Sequence, residues 1–526
     1  MKALLMHPDR DFDGEQPVPA HAQTLAQDLE LSTLWDAMAG GDAFLRDVAR
    51  KAILLSTNND AETVQHRQQV LADAIAHPQE VRELYALAVE AIEGRKKYWF
   101  GVFMNYPSGV LRSAIGLMQF FTEMLQKLRV FAEHKGRDFS SPGFSALFEM
   151  LRTEFDDSYL ATVRQHLKTL KFDGGVLISA SLGHGGEGVG HVLRLPPEKP
   201  SLWERLLHRG PAQYGFRLHE RDEAGARMLG EIEDCGVNLV ANALGQSCDH
   251  VLGFFQMLRT ELAFYVACLN LHEQLGQAQA PWCMPAMADT GALQLACNDL
   301  RDACLALKMG SGVVGNTVQA QGKGLIVITG ANQGGKSSFL RACGVAQLMM
   351  QTGMFVCAQA YAGERCNGVF THYKREEDAS FKSGKLDEEL SRLNDIADAI
   401  QPGCLFLSNE SFASTNEREG SEIAWQTVEA LRDRRIRVMA VTHLFDFAHR
   451  LAADNRADAL FLRAQRREDG SRSFKLEVGE PLSTSFGEDL YAQVFGANAD
   501  QANVKEKPTG ASVAHDDKRP VTGAQT

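Results

Sequence analysis

Between residues 21 and 171 apolar positions recur three and four apart, as at Val81, Leu84, Leu87, Ala88, Ala91 and Ile92. That spacing lines one face of a helix. Pro78 and Pro107 punctuate the stretch, and residues 1–20 precede it as a lead segment. From Phe172 the period shortens, and residues 176–182 and 189–195 read as two strands joined by a Gly-rich turn. A Pro-containing stretch, 196–211, follows. Residues 212–280 lack proline and put Leu252, Phe255, Leu258, Leu262, Tyr265, Val266 and Leu269 on one helical face, the pattern of core packing. From about 324 short apolar runs alternate with helical spacing, which predicts a mostly parallel sheet with helices on both faces. The expected fold is multidomain. An α-helical core or lever region, 21–317, carries a β-hairpin insertion near 173–195 and is followed by an α/β P-loop ATPase domain of the ABC type, 318–498. The tail, 499–526, is too polar to fold alone.

The chemistry concentrates where the apolar run Ile326-Val327-Ile328-Thr329 ends. Gly330-Ala331-Asn332-Gln333-Gly334-Gly335-Lys336-Ser337-Ser338 leads into helical spacing at Phe339-Leu340. The glycines, lysine and hydroxyl have the spacing of a phosphate-binding loop. In such a loop, backbone N–H groups cradle phosphates at a helix N-terminus, the lysine adds a point charge, and the hydroxyl binds Mg²⁺. A plain Gly-rich turn is the simpler alternative. The turn Gly183-His184-Gly185-Gly186-Glu187-Gly188 also fits G-x-G-x-x-G. A strand rather than a helix follows it, so the dinucleotide reading fails.

Two further strand ends carry polar groups. Cys404-Leu405-Phe406-Leu407-Ser408 runs into Asn409-Glu410, and Arg437-Val438-Met439-Ala440-Val441-Thr442 runs into His443. A carboxylate beside a phosphate loop can orient and deprotonate water, and a polar residue at the next strand end can reach the terminal phosphate. A helix-capping acid and a surface histidine are the ordinary alternatives. Should the base lie elsewhere, Asp387, Glu388 and Glu389 are the next acids in line.

Length and composition narrow the class. A chain of 526 residues that is 44% hydrophobic can bury more than one core. No run of 18 or more apolar residues predicts a membrane helix, and the N-terminus has too short an apolar run for a secretory signal. Ten cysteines, from Cys235 to Cys404, include no Cys-x-x-Cys, which is a reduced, cytoplasmic usage. The net charge of −13 argues against a broad electrostatic grip on nucleic acid but leaves room for a local basic channel. Arg95-Lys96-Lys97-Tyr98-Trp99 is the densest basic cluster, and a solvated helix end with Tyr98 and Trp99 buried is its ordinary reading.

The segment 330–338 resembles the nucleotide loop of the MutS family of DNA mismatch-repair ATPases, whose pattern is Thr-Gly-Pro-Asn-Met-Gly-Gly-Lys-Ser-Thr. Residues 409–420 are similar to that family's Asp-Glu strand end and following loop. Thr442-His443-Leu444-Phe445 resembles its Thr-His-Tyr-Phe, and Ser485-Phe486-Gly487 its Ser-Tyr-Gly. Leu55-Ser56-Thr57-Asn58-Asn59-Asp60, with Arg67, Val70 and Leu71, resembles the start of the family's helical core. The resemblance implies ATP bound at Gly330–Ser338, Mg²⁺ held by Ser337 and Asn409, and catalysis by Glu410 and His443. It implies a homodimer formed through the ATPase domains, with Ser383-Gly384 reaching the partner's nucleotide, and DNA rather than a membrane as ligand. It also places long lever helices over 212–280.

Three departures shape the expectation. No Phe-x-Glu stands near the N-terminus in the family's base-wedging context, so mismatch-reading and connector domains are expected to be missing. Asn409 replaces the aspartate that orders the Mg²⁺ shell, so hydrolysis is expected to be slow. The Ser-Thr that follows the family's Ser-Gly is replaced by Lys385-Leu386-Asp387-Glu388-Glu389-Leu390. The expected function is an ATP-gated dimeric clamp in DNA repair or recombination. The alternative is a nucleotide-gated scaffold with negligible hydrolysis and no direct DNA binding. A chromosome-organising ATPase would carry a Gly-Gly-Gln signature and coiled-coil arms, and neither is seen.

Overall fold

The computed structural model describes residues 1–98, 106–195, 214–375, 384–467 and 471–481. Trp99, Ser383, Ser485-Phe486-Gly487 and the tail 499–526 lie outside the described residues.

Among the described residues, eight α-helices precede the first strand: α1 (Ala22–Asp28), α2 (Leu31–Ala39), α3 (Ala43–Leu54), α4 (Ala61–Ala76), α5 (Pro78–Gly94), α6 (Pro107–Lys135), α7 (Pro142–Glu154) and α8 (Asp157–Thr169). Their starts follow capping chemistry. Asp42, Asp60 and Asp156 each accept a backbone N–H of the first turn, and Pro78, Pro107 and Pro142 stand at or next to the first helical position. Strands β1 (Leu177–Leu182) and β2 (Gly188–Arg194) form an antiparallel hairpin. The turn at 183–187 therefore leads into a strand, as its sequence context required.

Helix α9 (Glu223–Gln277) has 55 residues, about 80 Å at 1.5 Å per residue. It packs on α2, α3, α5 and α6, and its C-terminal half buries Phe255, Leu258, Leu262, Tyr265 and Leu269. Its N-terminal half leaves Met228, Leu229, Ile232 and Leu239 exposed. By length and composition alone it could cross a membrane, although no unbroken apolar run announced it. In the fold 72% of that apolar window is buried, so protein contacts account for its composition.

Strands β3 (Ala286–Ala288), β4 (Leu295–Leu300), β5 (Asn316–Gln319) and β7 (Ala360–Glu364) form a mixed sheet in the order β3-β7-β4-β5, with helix α10 (Ala303–Met309) between β4 and β5. This sheet draws strands from both sides of residue 318, the boundary expected from the hydrophobic pattern. The second sheet comprises β6 (Leu325–Gly330), β8 (Val369–Tyr373), β9 (Leu405–Asn409), β10 (Arg437–Val441), β11 (Ala459–Arg466) and β12 (Arg472–Val478). Its order is β12-β11-β6-β10-β9-β8, parallel except for β12 at the edge. Helices α11 (Lys336–Thr352), α12 (Lys385–Ala399), α13 (Glu417–Asp433) and α14 (Phe445–Ala453) connect these strands.

One continuous apolar core joins the helical region to the α11 face of this sheet. A separate core lies on the opposite face, beneath α12, α13 and α14. The segment expected only to lead into the helices is built into the first core. Ala3, Leu5 and Met6 are fully buried, and the Leu5, Met6 and Phe12 N–H groups donate to the Glu261 carboxylate of α9. Arg67 of α4, also buried, donates to the Met6 and Thr352 carbonyls and contacts His7 Nε2 at 2.9 Å. Asn59 Nδ2 donates to the Gln351 carbonyl. The C-terminal end of α11 is thereby tied to α4, to residues 3–12 and, through Glu261, to α9.

Candidate functional site

Open parallel sheets bind ligands in the crevice beyond the carboxyl ends of their strands. Here those ends bring together three segments. In register, Ile328 of β6 lies opposite Val441 of β10, and Val441 lies opposite Asn409 of β9. The Gly330 loop, the Asn409-Glu410 step and Thr442-His443 therefore emerge at one edge.

The loop is shaped by close approach. Gly330 has φ +104°, and a Cβ there would stand 2.8 Å from the Ala464 backbone nitrogen of β11. Gly334 would place a Cβ 2.6 Å from Ala464 Cβ. Gln333 also adopts a left-handed φ, +58°. Gly335, φ +86°, caps α11 with no side-chain hydrogen bond to the helix start. A 17-residue helix thus begins with its N–H groups turned to the loop, where the helix dipole favours an anion.

Lys336 is 4% exposed, and Nζ donates to the carbonyls of Gly330 at 3.0 Å and Ala331 at 2.9 Å. Burial pushes its ammonium down from 10.5 to about 8, opposed by the Glu410 carboxylate. The Ser337 hydroxyl donates to Asn409 Oδ1 at 2.8 Å. Glu410 Oε1 lies 2.8 Å from His443 Nε2, and both side chains remain partly open to solvent. The hydrogen bond to His443 holds the Glu410 carboxyl below its ordinary range, aided by the positive charges of Lys336 and Lys374 against the effect of burial. The five side chains Lys336, Ser337, Asn409, Glu410 and His443 therefore form one cluster. Gly384 stands at the N-cap of α12, and no described hydrogen bond joins it to residues 330–338.

Two features escaped the sequence reading. A cavity of about 120 Å³ opens beside Gly335 and Ser338, walled by Leu305, Met309, Val313 and Phe474. Its only forewarning was the Gly310-Ser311-Gly312-Val313-Val314 run, a turn followed by apolar residues. Arg472 of β12 donates from Nε to the Asn332 carbonyl at 3.1 Å, which brings a second cation to the loop. It comes from an edge strand far along the chain, beyond the reach of local spacing.

Oxygen donors define the metal-binding capacity of the cluster. Ser337 Oγ and Asn409 Oδ1 face each other with the Glu410 carboxylate next in sequence, a hard-oxygen set that suits Mg²⁺ completed by phosphate and water. Ser337 and Asn409 are both neutral, so the negative charge of this set comes from Glu410.

The molecule is thus a helical body joined to a mostly parallel α/β domain, with a glycine loop and an acid–histidine pair at the sheet's carboxyl edge. Residues 59–278 match the family description "MutS2 N-terminal domain", and residues 326–494 match "MutS domain V". The chain belongs to the MutS family. MutS protein homolog 4 of Mus musculus is 23% identical over 286 residues, 53% of this chain and 27% of that protein. Endonuclease MutS2 of Streptococcus equi subsp. equi is 32% identical over 122 residues, 23% of this chain and 15% of that protein. The DNA mismatch repair protein MutS of Microcystis aeruginosa is 28% identical over 180 residues, covering 32% and 20% of the two chains. The matched stretch therefore spans less than a third of each of these relatives.

Proposed function

We propose that this chain is an ATP-binding, DNA-binding MutS-family protein that acts in DNA repair or recombination as an ATP-gated dimeric clamp. The observation that carries the nucleotide half is the gathering of Lys336, Ser337, Asn409, Glu410 and His443 at the sheet edge. Lys336 is held by loop carbonyls, and a phosphate offers it a better partner than they do. The helix start and loop N–H groups receive the phosphates, and the apolar cavity beside Gly335 receives the base. Ser337 and Asn409 would hold Mg²⁺, which supplies charge neutralisation at the phosphates. Glu410 accepts a proton from water as its oxygen attacks the γ-phosphorus and the bond to the bridging oxygen breaks. His443 orients the Glu410 carboxylate. Asn409 brings no charge, a loss on the order of 1–3 kcal/mol in a charge-assisted contact, so turnover is slow.

Dimerisation through the α/β domains, with Ser383-Gly384 facing the partner's nucleotide, and movement of the α9 levers complete the reading. The family resemblance and the continuity of core between α11 and the helical body support it. Ten unpaired cysteines fit a reducing cytoplasm. The net charge of −13 and the amide at 409 favour a second reading, a nucleotide-gated scaffold without DNA.

Binding of linear, forked and four-way DNA, with and without ATP across a salt series, separates the two. Affinity that changes with ATP and falls with salt supports the clamp. Absence of binding to every DNA at low salt, with ATP bound, supports the scaffold.

A further inference from the structure

The turn after β9 is backbone-strained. Glu410 has φ +55° and Phe412 φ +62°, both left-handed and neither glycine. Such residues cost on the order of 1–3 kcal/mol each and persist only where their surroundings over-determine them.

Groups from two other elements hold this turn. Glu389 of α12 is 3% exposed, and its Oε2 accepts the Phe412 N–H at 2.8 Å. His372 of β8 is fully buried, with Nδ1 2.6 Å from Ser411 Oγ and Nε2 3.0 Å from the Glu389 carbonyl. Burial drives the imidazole down to about 4, so the ring is neutral with a single N–H. That N–H on Nε2 serves the Glu389 carbonyl, which leaves Nδ1 an acceptor, and the single Ser411 hydroxyl proton lies within reach of both Nδ1 and the His372 carbonyl, 2.8 Å away. The His372 ring also stacks on Phe412, with centroids 5.4 Å apart. Ser408 Oγ lies 2.8 Å from Ser411 Oγ. Glu389 is thus engaged at both its carboxylate and its carbonyl, on the two sides of the turn that carries Glu410.

We propose that Glu389 is the positioning residue for Glu410, and that the placement of α12 sets the reach of the Glu410 carboxylate. The inference rests on the reading of Glu410 as the group that activates water. The Glu389 carboxylate is buried and taken up by the Phe412 N–H, so it serves the reaction through geometry rather than as a substitute base. Because α12 starts at Gly384, whatever moves the beginning of this helix moves the acceptor that fixes Phe412, and Glu410 two residues before it.

The test compares Glu389→Gln, which keeps an oxygen acceptor, with Glu389→Met, which keeps the bulk and removes it. ATP affinity, kcat and KM are measured in the full chain, alongside Glu410→Gln. Loss of one fixing hydrogen bond predicts a kcat roughly tenfold lower for Glu389→Met, with ATP affinity and KM held within about twofold. Glu389→Gln is expected to recover most of the rate. In a Glu410→Gln background, Glu389→Met is expected to cost nothing further. Ser411→Ala, which releases the same turn from His372, is the second variant and is expected to lower kcat in the same way. An unchanged kcat in Glu389→Met or in Ser411→Ala, with Glu410→Gln inactive, overturns the positioning role alone. Equal losses in the Gln and Met variants also overturn it, because the acceptor would then be irrelevant. An unchanged rate in Glu410→Gln, or no hydrolysis by the parent chain, overturns the reading of Glu410 and this inference with it.

Discussion

The Ser337 hydroxyl donates to Asn409 Oδ1 at 2.8 Å, joining the first turn of α11 to the last residue of β9. An aspartate at 409 accepts the same bond and adds a negative charge to the oxygen set. Asn409→Asp is therefore expected to raise Mg²⁺-dependent hydrolysis several-fold, and Ser337→Ala to lower it. Steady-state phosphate release at saturating ATP checks both. A slower Asn409→Asp would mean that the site is built around the amide.

Lys336 is the buried cation at the loop, and its ammonium is already destabilised to about 8. ATP affinity should be flat with respect to this group below pH 8. Above it, affinity should decline toward tenfold per pH unit as the free lysine gives up its proton. Lys336→Ala should weaken binding by roughly tenfold or more and remove this pH dependence. Titration with a fluorescent ATP analogue from pH 6.5 to 9.5 reads both effects.

Glu261 offers a stability test. Burial raises its carboxyl from an ordinary 4.5 to about 7, outweighing the three N–H donors from Leu5, Met6 and Phe12. A carboxyl with a raised folded pKa binds its proton more tightly in the folded state. Its contribution is complete below the unfolded value, falls as pH rises from about 4.5 to about 7, and is flat above. The decline amounts to roughly 3 kcal/mol over that window. Glu261→Gln should flatten that part of the profile in urea unfolding measured at successive pH values.

Arg67 is 1% exposed and satisfies carbonyls on two separate segments, at Met6 and Thr352. Arg67→Ala leaves those acceptors unpaired and opens a cavity, at a cost of about 3–5 kcal/mol. A lowered urea midpoint with an unchanged slope is the expected result. Protease sensitivity should rise in residues 3–12 first.

The apolar runs ending at Gly330, Asn409 and Val441 were legible because parallel strands buried on both faces are short, continuous and hydrophobic. The helices of residues 21–171 were legible from their period, aided by Asp and Pro at their starts. The four-stranded sheet was not. Its strand β7 comes from beyond α11 and inserts between β3 and β4, a pairing over more than 60 residues that no local pattern encodes. Arg67 stood out only as part of a family-like stretch, since nothing in its neighbours says that its partners are carbonyls at Met6 and Thr352. Glu389 likewise read as a spare acid. Its acceptor role depends on Phe412, 23 residues away and in a conformation that the sequence does not advertise.

Helix α11 is held at both ends by contacts that admit no slack. At its start, Gly330 and Gly334 sit against Ala464 without room for a methyl group. At its finish, Gly353 has φ +85°, and a Cβ there would meet Arg67 Cβ at 2.5 Å. On the proposed lever action, a displacement imposed at Lys336 would load Arg67 and the strap of residues 3–12, which donates to Glu261 near the middle of the buried half of α9. The stiffness of this joint would then help to set how much of the energy of filling the loop reaches the far tip of α9. On the proposed lever action, substitutions at residues 3–12 would change the swing of α9 and the affinity for ATP together, because the two are thermodynamically linked.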